Sequence, residues 1–389
     1  MSYHAIKGMN DILPTESPLW ASVENKARTL FSRYGYQEIR TPIVEEKILF
    51  ARTLGETTSV VEKEMYDFQD KKGKWLVLRP EGTAGVVRAF VESHLAINDP
   101  LSRFYYIGPM YRYEQPQKGR YRQFHQIGVE VFGIASPLLD AEVIHMGDQY
   151  FKALGLDLTL EINSLGCPLC RPKFAQAFLD YLMAREKELC HDCHRRMKKN
   201  PFRALDCKEE GCRKATEEAP SIQEFLCEAC EKNFDQVLEG LGTFGTSYKI
   251  NTRIVRGLDY YLRTTFEFTT SALGAQNAVC GGGRYDGLVH LLDGPNVPGF
   301  GFAIGEERLV ELLQQQKGRV APAKEKSVFI IPMGEPALKE AIKAGQKLRQ
   351  DGVAVEIDYE GRSLKSGLRR ADRIQATHAL ILGEDELKK

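Results

Sequence analysis

Two extended runs, Phe104–Tyr113 and Phe124–Phe132, joined by a short basic loop containing Gly119, leave this chain few ways to fold. A parallel crossover needs a dozen or more residues. The loop is shorter, so the runs are expected to pair antiparallel. Side chains on a strand alternate faces, which gives Arg112, Glu114, Phe124, Gln126 and Glu130 the parity to share one face. Polar groups buried on such a face cost several kcal/mol unless a ligand or a neighbour satisfies them. An arginine there can grip a phosphate with two hydrogen bonds, and a phenylalanine can stack on a flat base. The plainer alternative is an exposed, salt-bridged hairpin.

Before this pair, Leu19, Val23, Ala27, Leu30 and Phe31 recur at helical spacing. Residues 37–44 read as extended, with Pro42 requiring an edge or a bend. Trp75–Pro80 reads as a strand and Gly82–Phe90 as the start of a helix. Residues 166–245 turn cysteine-rich, charged and helical, and strand-like runs return over 247–310. A polar linker at 314–326 precedes a β-α-β-α-β rhythm: Val328–Ile331, Pro336–Gln350, Val353–Ile357, Leu364–Ile374 and Ala379–Leu382. The class expected is α/β (α+β), with parts at 1–165, 166–245, 246–318 and 326–389. The last part stops just after its third strand, and an uncovered edge there suggests a truncated domain.

Lys+Arg and Asp+Glu both number 53, so a nucleic-acid partner has to be held by local basic patches. No run of about 20 apolar residues offers a membrane span, and Met1–Gly8 lacks the apolar run of a secretory signal. A cytoplasmic protein is expected. Eight of the nine cysteines crowd into residues 167–230 as Cys167/Cys170, Cys190/Cys193, Cys207/Cys212 and Cys227/Cys230. In a reducing compartment this spacing points to metal or free thiols before disulfides. Two such pairs make one tetrahedral zinc site, and eight thiols make at most two. His191 and His194 are possible substitutes, and reduced thiols in a helical insertion are the alternative.

The order Arg112-Tyr113-Glu114, basic loop, Arg120, Arg122, Phe124, Gln126, Glu130 resembles motif 2 of class II aminoacyl-tRNA synthetases, and its wording is similar to the histidine-specific family. Tyr111, Tyr113 and Gln115 depart from the usual residues without removing a ligand-binding group. Arg79–Thr83 resembles that family's amino-acid-binding loop. Val255–Tyr261 and Gly281–Asp286 resemble its two histidine motifs, and Gly299–Leu309 resembles motif 3. Tyr36–Leu54 resembles the motif 1 dimer element. The likeness runs from Gly8 to about Leu382.

That resemblance implies an antiparallel class II sheet flanked by helices, a helical insertion, and a small anticodon-binding-like α/β domain. It implies ATP-dependent ligation of L-histidine to tRNA(His) through a histidyl adenylate by a homodimer, with Mg²⁺ accompanying ATP; structural Zn²⁺ in the insertion rests on the cysteine spacing alone, since the corresponding insertion in many relatives has few or no cysteines. Arg112 and Arg256 would act on the carboxylate and α-phosphate. Glu114, Arg120, Phe124 and Arg308 would hold the rest of ATP. Glu81, Thr83 and Gln126 would hold the α-ammonium, and Glu130, Tyr260, Tyr261 and Tyr285 would enclose the imidazole, whose two ring nitrogens need partners. Each residue also has a plainer role, as a core tyrosine or, for Glu81, a helix cap. Two other readings stand beside this one: a non-catalytic regulatory subunit of ATP phosphoribosyltransferase, and a zinc-ribbon RNA-binding module.

Overall fold

The computed structural model describes residues 3–55, 58–117, 119–198, 200–255, 258, 260–274, 277–316, 326–383 and 385–388. The chain divides into two compact units, Met1–Arg319 and Val320–Lys389. Its strands are β1 (Gln37–Glu38), β2 (Val44–Glu46), β3 (Tyr66–Gln69), β4 (Trp75–Leu78), β5 (Arg103–Tyr111), β6 (Gln123–Phe132), β7 (Thr159–Ser164), β8 (Lys249–Ile250), β9 (Leu262–Thr269), β10 (Ala278–Arg284), β11 (Gly299–Gly305), β12 (Ser327–Pro332), β13 (Ala354–Ile357) and β14 (His378–Leu382).

The first unit is built on an eight-stranded sheet in the order β1-β5-β6-β11-β10-β9-β7-β8. Its inner pairs are antiparallel, and only the outermost pairs, β1 with β5 and β7 with β8, are parallel. β5 and β6 pair in the expected sense, Met110 opposite Phe124 and Phe104 opposite Glu130. β5 ends at Tyr111, earlier than the hydrophobic pattern suggests, yet the Arg112 N–H still donates to the Arg122 carbonyl at 2.9 Å. The run at 37–44 is broken as Pro42 demands: residues 37–38 join the large sheet and Val44–Glu46 crosses to a smaller sheet with β3 and β4.

The helix Ser17–Arg33 buries Val23, Ala27 and Phe31. The helix Thr83–Glu92 buries Val86, Val87 and Phe90, which meet Phe132, Tyr261 and Tyr285 in one apolar cluster beneath the cleft. Phe90 and Phe132 stack with centroids 4.4 Å apart. Residues 171–243 are helical, from Arg171–Ala184 through short turns to Glu228–Thr243, with an apolar cluster of their own around Phe174, Phe178 and Leu182. The second unit has the β-α-β-α-β order read from the sequence, its strands parallel in the order β13-β12-β14. Of the linker at 314–326, residues 317–325 lie outside the described residues.

Candidate active site

A cleft of about 420 Å³ opens on the face of the large sheet that carries Phe124 and Gln126. Arg112, Glu114, Arg120, Phe124, Gln126 and Arg308 line it together with Glu81, Thr83, Tyr260 and Tyr261. These positions span more than two hundred residues of chain. Glu130 and Tyr285 lie just beneath, 1% exposed each. Arg256 lies outside the described residues, as do Gly257 and Asp259 of its motif.

The floor is a buried hydrogen-bond chain. The Glu81 carboxylate accepts the backbone N–H groups of Thr83 and Ala84 at 2.7 and 2.8 Å. It therefore does cap the helix Thr83–Glu92, while also lining the cleft. The Thr83 hydroxyl donates to Glu130 at 2.6 Å, and the Tyr285 hydroxyl donates to the other Glu130 oxygen. Glu130 has room only because its neighbour on β11 is Gly301, where a Cβ would meet the Glu130 carboxylate. Burial pushes Glu130 up to about 8, against the downward pull of both hydroxyls. Burial likewise raises Glu81. Tyr260 and Tyr261 stand 4.5 Å apart by ring centroid, and both meet Tyr285 edge-on.

The other half of the cleft is cationic. Arg112 donates from Nε to the Pro80 carbonyl at 2.9 Å and lies over the Phe124 ring, 5.3 Å from its centroid. Arg120 faces Glu114 at 3.1 Å. Arg308 is fixed by the carbonyls of Gly119 and Ala278, and burial first, then Arg120, lowers its pKa. Gln126 keeps its Oε1 buried without a protein hydrogen-bond partner among the described residues. Buried acceptors are paired in folded proteins, so this one calls for a partner.

Family models match in the same two blocks, histidyl-tRNA synthetase over residues 8–309 and an anticodon binding domain over 327–389. A histidine–tRNA ligase of Geobacter sulfurreducens is 53% identical over 98% of this chain and 92% of its own length. The chain belongs to the histidyl-tRNA synthetase family. A histidine–tRNA ligase of Thermodesulfovibrio yellowstonii is 50% identical over all of this chain and 92% of its own length. Among solved structures, the apo histidyl-tRNA synthetase of S. aureus superposes with a TM-score of 0.82 at 37% identity, over 100% of this chain and 93% of its own. The class II sheet is thus the family's fold, and the regulatory-subunit reading is not favoured. Membership in the family implies ATP and Mg²⁺, and two sets of four cysteines can hold a metal ion. No helix among the described residues is long and apolar enough to cross a membrane.

Several cleft residues carried no sequence signal. Glu267 of β9 lines it, as do Arg203 and Asp206 from the cysteine-rich segment. Behind Tyr285, Arg284 is fully buried against Asp140 of the helix Pro137–Ala153, with Asp286 at 2.9 Å. Arg284 and Asp286 lie within the Gly281–Asp286 motif, whereas Asp140 lay outside every segment singled out in the sequence. Cys280 is buried beside the glycine run and also borders the cleft.

Proposed function

We propose that this chain ligates L-histidine to tRNA(His) in two steps at this one cleft. The histidine carboxylate oxygen attacks the α-phosphorus of ATP and pyrophosphate leaves. A terminal ribose hydroxyl of the tRNA then attacks the adenylate carbonyl carbon, and AMP leaves. Displacement at phosphorus asks the protein for positioning and charge neutralisation more than covalent help. The observation that carries this reading is the meeting of an acid-and-tyrosine floor with an arginine-rich wall in one cavity.

Arg112, held by Pro80, serves the α-phosphate, and Arg256 serves the histidine carboxylate and the same phosphate. Phe124 stacks the adenine, Glu114 accepts from its amino group, and Arg120 and Arg308 receive the pyrophosphate end. Glu114 and Glu267 would offer the hard oxygen ligands that suit Mg²⁺, and the ion would supply positive charge to neutralise the phosphates. Glu81, Thr83 and Gln126 bind the α-ammonium. Glu130 and Tyr261 take one imidazole nitrogen each, with Tyr260 and Tyr285 as walls. Buried polar groups left unpaired reject analogues lacking those nitrogens.

The domains follow: 1–165 and 246–318 form the catalytic core, 166–245 an insertion stabilised by structural zinc, and 326–389 the anticodon-binding domain. The enzyme works in the cytoplasm as a homodimer, the exposed Ile43, Val44 and Ile48 beside Pro42 supplying apolar surface for the contact. Charging of tRNA(His) with labelled histidine in the presence of ATP tests the reading. Histidyl-tRNA is the expected product, and no charging with intact tRNA would overturn it.

A further inference from the structure

The cysteine-rich segment sorts its eight thiols into two nested sets. Cys167, Cys170, Cys227 and Cys230 join its entry to its exit, and Cys190, Cys193, Cys207 and Cys212 form a distal set. Within each set the candidate ligand atoms lie within 4.8 Å of one another. Cys190 and Cys207 have sulfurs 3.8 Å apart, and Cys167 and Cys170 have theirs 3.6 Å apart. Four thiolates about 2.3 Å from a zinc ion stand about 3.8 Å apart along the edges of the tetrahedron, whereas disulfide sulfurs lie about 2.05 Å apart. Backbone N–H groups point at the sulfurs: Cys190 donates to Cys212 and Cys227 to Cys170, each at 3.1 Å. Such outer hydrogen bonds orient metal ligands and stabilise their charge.

The distal set has a consequence for ATP. Its ligand Cys207 sits in the segment Arg203–Lys208, and Arg203 and Asp206 of that segment line the cleft beside Arg112, Arg120 and Arg308. Arg253 braces the same lobe, donating to the Leu205 carbonyl at 3.5 Å and to the Thr216 carbonyl at 2.8 Å. Thr216 in turn bonds the Cys212 carbonyl at 2.8 Å. Ala204 and Leu205 already pack this stretch into the apolar cluster around Phe174, and a metal on Cys207 would add a second anchor beside Asp206.

The geometry points to a zinc-held wall of the ATP cleft: the distal ion fixes the stretch that ends in Cys207 so that Arg203 helps bind the triphosphate of ATP. This rests on the zinc reading above and extends it from a structural ion to one that positions substrate-binding groups.

Metal analysis of the purified holoenzyme, with pyrophosphate exchange kinetics, tests the two layers separately. The wild type is expected to hold about two zinc ions per chain, one for each set of four thiols. Absence of zinc, or iron in its place, overturns the metal assignment itself. Cys207→Ser is expected to lose one zinc and to raise the KM for ATP on the order of tenfold, the scale of one lost charge-assisted contact, with the KM for histidine changed by less than about twofold. Arg203→Ala leaves all eight thiols in place. It is expected to keep both zinc ions and still raise the KM for ATP severalfold. Zinc loss in Cys207→Ser with an unchanged KM for ATP overturns the wall, as does an unchanged KM for ATP in Arg203→Ala, while leaving the zinc reading standing.

Discussion

The Thr83 hydroxyl donates to the Glu130 carboxylate at 2.6 Å, joining the first turn of the helix Thr83–Glu92 to the last part of β6. In the proposed histidine site this bond would tie the ammonium end of the pocket to its imidazole end. Thr83→Val keeps the shape and deletes the donor, leaving a buried carboxylate oxygen unpaired, a loss of about 1–3 kcal/mol. The KM for histidine is expected to rise tenfold or more, with the KM for ATP little changed. Unaltered histidine kinetics would contradict the coupling.

Burial holds Glu130 protonated up to about pH 8. A carboxylate accepts a ring N–H more strongly than a neutral carboxyl does. The kcat/KM for histidine is therefore expected to rise with pH through about 8. Glu130→Gln removes the titrating group, so the profile should lose that rising limb along with most of the activity. A variant retaining the same limb would place the titration elsewhere.

Glu306 is fully buried at the start of the helix Glu306–Gln315, and neither carboxylate oxygen has a hydrogen-bond partner among the described residues. Burial, with Glu24 and Glu307 adding to it, pushes it up to about 9 from the ordinary 4.5. A group that binds its proton more tightly when folded favours the fold at low pH, and that contribution is lost as pH rises through the folded value. Stability attributable to Glu306 should thus decline from about pH 4.5 to about pH 9. Glu306→Leu is expected to raise Tm by a few degrees at pH 8, from about 1–3 kcal/mol of relieved desolvation, and to flatten the pH dependence of Tm. A lower Tm at pH 8 would show the carboxyl to be useful where it lies.

Arg284 and Asp140 form an ion pair with no exposed side-chain surface, and the pair holds the end of β10 from which Tyr285 reaches Glu130. Arg284→Met strands the Asp140 charge and is expected to cost about 3–5 kcal/mol in denaturant unfolding. Adding Asp140→Leu removes the stranded charge and should recover much of that loss. A double variant no more stable than the single one would count against a buried pair.

The fold was legible where periodicity and loop length act locally. The short loop after Tyr113 could not carry a parallel crossover, and the 3.6-residue spacing of Val23, Ala27 and Phe31 marked a helix with its buried face. The shared face of Phe124 and Gln126 followed from strand parity. The convergence of Glu81, Arg112, Tyr261 and Arg308 did not follow from spacing. It was legible only as a likeness between motifs, because strand order in a sheet depends on contacts far apart in the chain. The partition of the cysteines was hidden for the same reason: four similar pairs allow several combinations, and the nesting of 167/170 with 227/230 depends on where the helix Glu228–Thr243 returns. Nothing local marks Arg203 as a cleft residue, since the lobe that carries it is placed by packing around Phe174 and Val255.

Histidine-dependent exchange of labelled pyrophosphate into ATP, compared between the wild type and Arg112→Ala, measures the first step directly. The wild type is expected to exchange label with histidine and with no other common amino acid. Arg112→Ala is expected to fall by about a hundredfold or more, the scale for removing a positioned charge from a transition state, with its thermal unfolding unchanged. Exchange that ignores histidine, or a folded Arg112→Ala enzyme with full exchange, would contradict the assignment of this cleft.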